Sequence, residues 1–181
     1  LIGSSWVAIR QPETLPPERR VPLSARNLLR SAREVMSNRQ VMLCTLVLTL
    51  GFAQMFALLS SSQQLFGETY GRAETFTKWF ALMALLSGIG TIANARYVMR
   101  YGMRRIARSA YAMQVVSSTL ALVLVASGAL HGNAAFYGFF LWAVSVFFMA
   151  GVTFGNLNAL AMQNMPHLAG MTASVVAALS S

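Results

Sequence analysis

The chain has no aspartate, one cysteine, one lysine and two histidines among its 181 residues, and beyond Arg108 it carries no Asp, Glu, Lys or Arg at all. Each absence removes a class of chemistry. Without aspartate there is no Ser/His/Asp set. A lone Cys44 leaves no disulfide framework and no cysteine metal cluster within the chain. His131 and His167 fall in separate turns, on opposite expected sides of a membrane, so they cannot share a metal ion. No phosphate-binding or dinucleotide glycine motif is present. An enzyme site, a cofactor and a metal centre are therefore not expected, and no catalytic residue is proposed. Charge is the largest deficit. A soluble domain devotes about a quarter of its residues to Asp, Glu, Lys and Arg, whereas this chain has 10% charged and 56% hydrophobic residues. Its mean hydropathy is +0.55. The charge-free run from Ser109 to Ser181 is far longer than the ~20 residues of one bilayer crossing. It must cross repeatedly.

The charges that remain are mostly positive, with a net +9. They are not spread as on a nucleic-acid-binding surface. They cluster from Arg10 to Arg39 and from Arg96 to Arg108, each cluster abutting an apolar run. That distribution marks cytoplasmic ends of membrane spans and argues against nucleic acid as a partner. Residues 1–9 look like the end of a span. Residues 10–40 form a basic cytoplasmic linker, punctuated by Pro12, Pro16, Pro17 and Pro22. Within the linker, Ser24 can cap a helix over about 25–37, with Leu28, Leu29, Ala32, Val35 and Met36 on one face and Arg26, Arg30 and Arg33 beside it. This is either an amphipathic helix on an anionic leaflet or a solvated linker helix. Spans are expected at about 41–62, 78–95, 109–129, 135–162 and 170–181, the last incomplete. A loop holding Glu68, Arg72 and Glu74 joins the first two, and a basic loop at 96–108 joins the next two. Two spans separate the basic segments, so both lie on the cytoplasmic side. The expected fold is an all-α integral membrane bundle, since helices satisfy their own backbone groups in lipid. The chain begins without Met and stops in mid-pattern, and is expected to be a segment of a longer protein.

No expected span interior contains Asp, Glu, Lys, Arg or His, Lys78 standing only at an expected edge, so a proton-coupling carboxylate is not expected in this segment. The candidates that remain are neutral. Leu50, Gln54, Ala57 and Ser61 share one face of the first full span. Gln54 either holds helices together or faces a wet cavity. Trp142, Ser145, Met149 and Thr153 make a comparable face in the fourth, suited either to packing or to bulky apolar or cationic ligands. Gly88, Gly90 and Ala93 in the second full span, and Gly151 and Gly155 in the fourth, are expected at close helix contacts or at a rocking seam.

With those residues in view, the sequence resembles the C-terminal half of the twelve-span major facilitator superfamily transporters, and within them the Bcr/CflA-like drug:proton antiporters. The resemblance rests on Pro12-Glu13-Thr14-Leu15-Pro16-Pro17-Glu18-Arg19-Arg20, on Ser60-Ser61-Ser62 with Tyr70-Gly71, and on Asn94-Ala95-Arg96 with Arg100-Tyr101-Gly102-Met103-Arg104-Arg105. Asn156, Ala159-Leu160-Ala161 and Ala169-Gly170 extend it. It departs at Met99, which stands where the repeated loop motif has an acidic residue. The resemblance implies a bundle of spans seven to ten and the start of eleven, in a bacterial inner membrane. It implies proton-driven export of drugs or small metabolites by alternating access. The coupling carboxylates would lie in the N-terminal half. Spans seven and ten would line the cavity, which singles out Gln54 and the Trp142 face. Arg96, Arg100, Gly102, Arg104 and Arg105 would form the cytoplasmic motif. They either bias one conformation or only fix topology. The expected partners are membrane lipid, a small-molecule substrate and protons. A facilitator for a polar metabolite and a non-transporting membrane scaffold are the other readings.

Overall fold

The computed structural model describes Arg10 and residues 24–180. The expected end of a span at 1–9 and most of the proline-rich linker lie outside the described residues. Six α-helices follow: α1 (Ala25–Ser37), α2 (Arg39–Gln64), α3 (Phe76–Tyr101), α4 (Met103–Ala126), α5 (Gly132–Gln163) and α6 (Ala169–Ser180). Among the described residues, four helical segments are long and apolar enough to cross a membrane. The all-α membrane architecture follows from the same physics as the sequence pattern: a helix closes its own backbone hydrogen bonds where no water can.

Side-chain caps set the first boundaries. The Ser24 hydroxyl accepts the Asn27 backbone N–H at 3.2 Å and starts α1. Asn38 alone separates α1 from α2. Its side chain accepts the N–H groups of Gln40 and Val41 at 3.0 and 3.1 Å, while its own N–H donates to the Val35 carbonyl. One residue thus ends one helix and begins the next.

Two expected loops are largely helical. The stretch after α2 continues as a π-helical turn over Leu65–Thr69, turns at Tyr70–Gly71, and resumes as a 3-10 turn at Ala73–Thr75. The basic stretch at 96–108 is not a loop. Helix α3 runs to Tyr101, α4 starts at Met103, and Gly102 is the whole corner. Arg96 and Arg100 therefore lie on the last turns of α3, and Arg104, Arg105 and Arg108 on the first turns of α4. Long basic side chains reach water from a helix end, so polarity there does not require the helix to stop.

Helix α5 is the hub. It packs against α2, α3, α4 and α6, and α6 in turn packs on α2 and α1. Three clusters of buried residues form along it, one of them between α4 and α5 around Met149. At the end away from the arginines of α4, Phe66, Phe136 and Phe140 are buried among Trp79, Phe76 and Phe139, with several edge-to-face ring contacts. The Arg72 guanidinium lies 4.3 Å from the centre of the Phe136 ring and donates to Asn133 Oδ1 at 2.7 Å, tying the turn after α2 to the start of α5. Burial in the same cluster pushes the Tyr70 phenol above its ordinary pKa. At the other end, Val35, Val41, Leu48, Leu157, Ala161, Met165 and Val176 join α1, α2, α5 and α6. Leu85 and Ile92 of α3 and Val116 and Val123 of α4 are exposed.

Close approach is found at Gly90 and Gly151, two of the glycines expected to allow it. A Cβ on Gly151 would stand 3.1 Å from the Thr91 hydroxyl, so α3 and α5 approach closely there. A Cβ added at Gly88 or Gly155 would meet nothing within 4 Å, so the contacts expected of them are not found among the described residues. The tightest approaches are at Gly90, against the Phe148 carbonyl at 2.8 Å, and Gly51, against the Phe154 ring at 2.8 Å. Gly102 has a different reason for being glycine: its φ of 79° and ψ of 149° lie where an L side chain is strained. Gly102→Ala should cost roughly 1–3 kcal/mol of stability. Gly155→Ala, in an open helical position, should be neutral or gain up to about 1 kcal/mol. Thermal unfolding of the full-length protein in detergent distinguishes the two; equal melting temperatures would contradict the corner assignment.

Candidate functional site: a groove beside the central helix

Helices α2 and α4 stand on either side of α5 and leave a groove between them. It encloses about 920 Å³ and is lined by Leu43, Val47 and Gln54 from α2, Tyr111, Gln114 and Ser118 from α4, and Leu157 and Leu160 from α5. Gly51 explains its shape. Without a side chain there, Phe154 closes onto α2 and packs on Phe52 with ring centres 4.3 Å apart. The Tyr111 hydroxyl reaches across from α4 to donate to the Val47 carbonyl at 3.4 Å. Gln40, Arg104 and Arg108 line the same groove, which places the basic starts of α2 and α4 at one end of the bundle.

A short polar chain crosses this apolar wall. The Trp142 indole N–H donates to the Ser118 hydroxyl oxygen at 3.0 Å, and the Gln114 amide donates to the same oxygen at 3.1 Å. The Gln114 carbonyl oxygen is buried with no hydrogen-bond partner among the described residues. A buried acceptor left unpaired is costly. One turn along, the Ser117 and Ser145 hydroxyls lie 2.9 Å apart, and the Ser145 hydroxyl donates to the Trp142 carbonyl at 2.7 Å.

The expected site residues divide. Trp142 and Ser145 bond to α4, and Met149 is fully buried against Ala110 and Val152, with the Thr153 hydroxyl 3.5 Å from its sulfur. They form the α4–α5 seam. Gln54 lies on the groove wall. Ala57 and Ser61 are exposed and line neither of the two larger cavities. Trp142 also borders a second cavity of about 780 Å³, with Tyr70, Arg72 and His131 near its far end. Ser118 borders both cavities, so Gln54 and Trp142 occupy adjoining spaces rather than one pocket. Gln114, Ser117 and Ser118 are not among the candidates that the sequence pattern singles out. The available signal is one carboxamide in the charge-free part of α4, four residues before a serine.

A second buried polar tie joins α3 to α5. The Asn156 amide donates to Asn94 Oδ1 at 2.7 Å and to the Val152 carbonyl at 2.8 Å. The motif arginines Arg96, Arg100, Arg104 and Arg105 are all exposed, with Arg100 lying 5.4 Å from the Tyr101 ring centre. Among the described residues no group of three or more His, Cys, Asp or Glu could hold a metal. His167 instead meets Glu34 of α1 at 3.0 Å.

Helices of bilayer length around a charge-free hub define a multi-pass integral membrane protein. Residues 2–181 match the Major Facilitator Superfamily, and the chain belongs to that family. The family is one of transporters rather than enzymes. A relative in Bacillus subtilis (strain 168), named as the uncharacterized MFS-type transporter YdgK, is 25% identical over 178 residues, covering 96% of this chain and 42% of that protein. The chain thus spans less than half the length of this relative. No solved structure matches it.

The Asn94–Asn156 pair is measurable. In a double-mutant cycle of Asn94→Ala and Asn156→Ala, thermal or denaturant unfolding in detergent should return a coupling of about 0.6–1.7 kcal/mol, the range for hydrogen bonds between membrane helices. Strict additivity would show that the bond contributes nothing.

Proposed function

We propose that this chain is the C-terminal half of a proton-coupled exporter of drugs or small metabolites, of the Bcr/CflA-like type, working by alternating access in a bacterial inner membrane. Membership of the Major Facilitator Superfamily over almost the whole chain is the observation that carries it. The chemistry of the cavities supports an apolar substrate. Apart from the arginines at the groove mouth and Arg72 and His131 at the far end, the polar groups include the neutral Gln54, Gln114, Ser118 and Trp142. Such walls suit a bulky molecule with few hydrogen-bonding groups. A sugar or amino acid would call for more paired polar groups.

Proton coupling needs an ionisable group within the membrane. No Asp or Glu falls in α4, α5 or α6. The coupling carboxylates are accordingly assigned to the N-terminal half, and this half supplies cavity wall and moving seam. The clustering of the basic ends of α2 and α4 supports a cytoplasmic location for that end.

Expression of the full-length protein in cells stripped of their own efflux pumps tests this reading. Ethidium efflux should rise several-fold, and a protonophore should abolish it. Efflux unaffected by the protonophore would reject proton coupling. Uptake or exchange of a polar metabolite, with no dye efflux, would reject the drug-exporter reading in favour of a facilitator.

A further inference from the structure

Helices α3 and α4 share the one-residue corner at Gly102, yet each packs more extensively on α5 than on the other. Between them lies a cleft of about 570 Å³, backed by Phe148 and Val152 of α5. It shares no lining residue with the groove between α2 and α4 or with the cavity at its far end.

The lining is graded along the helices. At ~1.5 Å of rise per residue, Tyr101 and Arg105 stand within about 5 Å of the Gly102 corner, Asn94 about 12 Å in and Met113 about 16 Å in. The polar groups offer donors. Arg105 is exposed with no carboxylate partner among the described residues, and α3 and α4 contain no Asp or Glu. The Tyr97 and Tyr101 rings lie 6.0 Å apart and are 46% and 44% exposed, as tyrosines at a membrane–water interface are. Asn94 Oδ1 is taken by the Asn156 amide, while the Asn94 amide itself donates no hydrogen bond among the described residues. Deeper in the cleft, Met113, Phe148 and Val152 present apolar side chains only.

A matching ligand has negative charge and acceptors at one end and hydrocarbon at the other. A phosphodiester and a carboxylic ester are acceptors without donors, and a glycerophospholipid joins both to acyl chains. Both helices are of bilayer length, which puts the cleft alongside lipid. We propose that the α3–α4 cleft is a binding site for one anionic glycerophospholipid. Its phosphate lies against Arg105 and Tyr101, an ester carbonyl accepts from Asn94, and an acyl chain lies on Phe148 and Val152. Free phosphate would meet the same donors at the mouth but would leave the apolar part of the cleft uncovered. The bound lipid fills the space between α3 and α4 and ties them together beyond their corner, whatever the protein transports.

The experiment uses the full-length protein in phosphatidylcholine nanodiscs containing a little phosphatidylglycerol with a diazirine in one acyl chain. After photolysis, peptide mapping by mass spectrometry should concentrate the adducts on Met113, Phe148 and Val152. Unlabelled phosphatidylglycerol should compete them away, and glycerol phosphate should not. The same diazirine on phosphatidylcholine should show no such concentration. Arg105→Gln should lower labelling by up to about fivefold. Ala93→Phe, which fills the cleft without changing charge, should abolish it. Adducts spread evenly over the membrane-facing helices would mean an ordinary lipid annulus and would overturn the proposal. So would a cleft without adducts, which would mean that protein covers it. Equal labelling by the phosphatidylcholine probe would overturn the anionic headgroup, and competition by glycerol phosphate would assign the mouth to soluble phosphate instead. The adduct map of the parent protein decides the site even where a variant does not fold.

Discussion

Backbone hydrogen bonding without water is the constraint on which the rest of this structure depends. It forces helices, and it makes charge on a helix at the centre of the bundle costly, so that such a helix is best left uncharged. Helix α5 meets that condition over its whole length from Gly132 to Gln163. Because it is free of charge on every side, four neighbours can pack on it from different directions. Without water to drive apolar surfaces together, small residues and buried polar ties hold those neighbours in register. Gly51, Gly90 and Gly151 supply the close approaches, and the Asn94–Asn156 and Trp142–Ser118–Gln114 bonds supply the register.

Much of the fold is legible in the sequence because composition alone separates membrane from aqueous chains. The absence of charge beyond Arg108 identifies lipid as the solvent, and the bilayer thickness then sets helix length. Polarity is a poorer guide to where helices end. The run of arginines at 96–108 reads as a loop, yet α3 and α4 carry it on their ends, because long basic side chains leave the membrane while their backbone stays helical. The corner is one glycine wide, which is a matter of φ and ψ and not of hydropathy.

The site is legible in part. Periodicity correctly says that Trp142, Ser145 and Met149 share a side of their helix, but it does not say which neighbour that side meets. Here it meets α4. Gln114 escapes a reading by pattern because a single glutamine in α4 makes none. Its importance comes from a partner, Ser118, and from a carbonyl oxygen left over once the amide has found that partner. Glycine motifs mislead for the opposite reason. Gly155 sits in a suggestive spacing with Gly151 but faces open space, while Gly90 and Gly51, outside that pair, make the closest approaches.

Asn38 has a mechanical consequence. A single residue caps both helices that meet at it, so α1 has no slack with which to absorb a tilt of α2. At 13 residues and ~1.5 Å of rise each, α1 is a lever arm of roughly 20 Å. A tilt of about 10° at the shared cap would carry its Ser24 end through roughly 3 Å, measured over that same arm. The joint converts a small inclination within the membrane into a larger sweep across its surface. The Ser24 end of α1 is therefore mechanically geared to the bundle rather than loosely tethered to it.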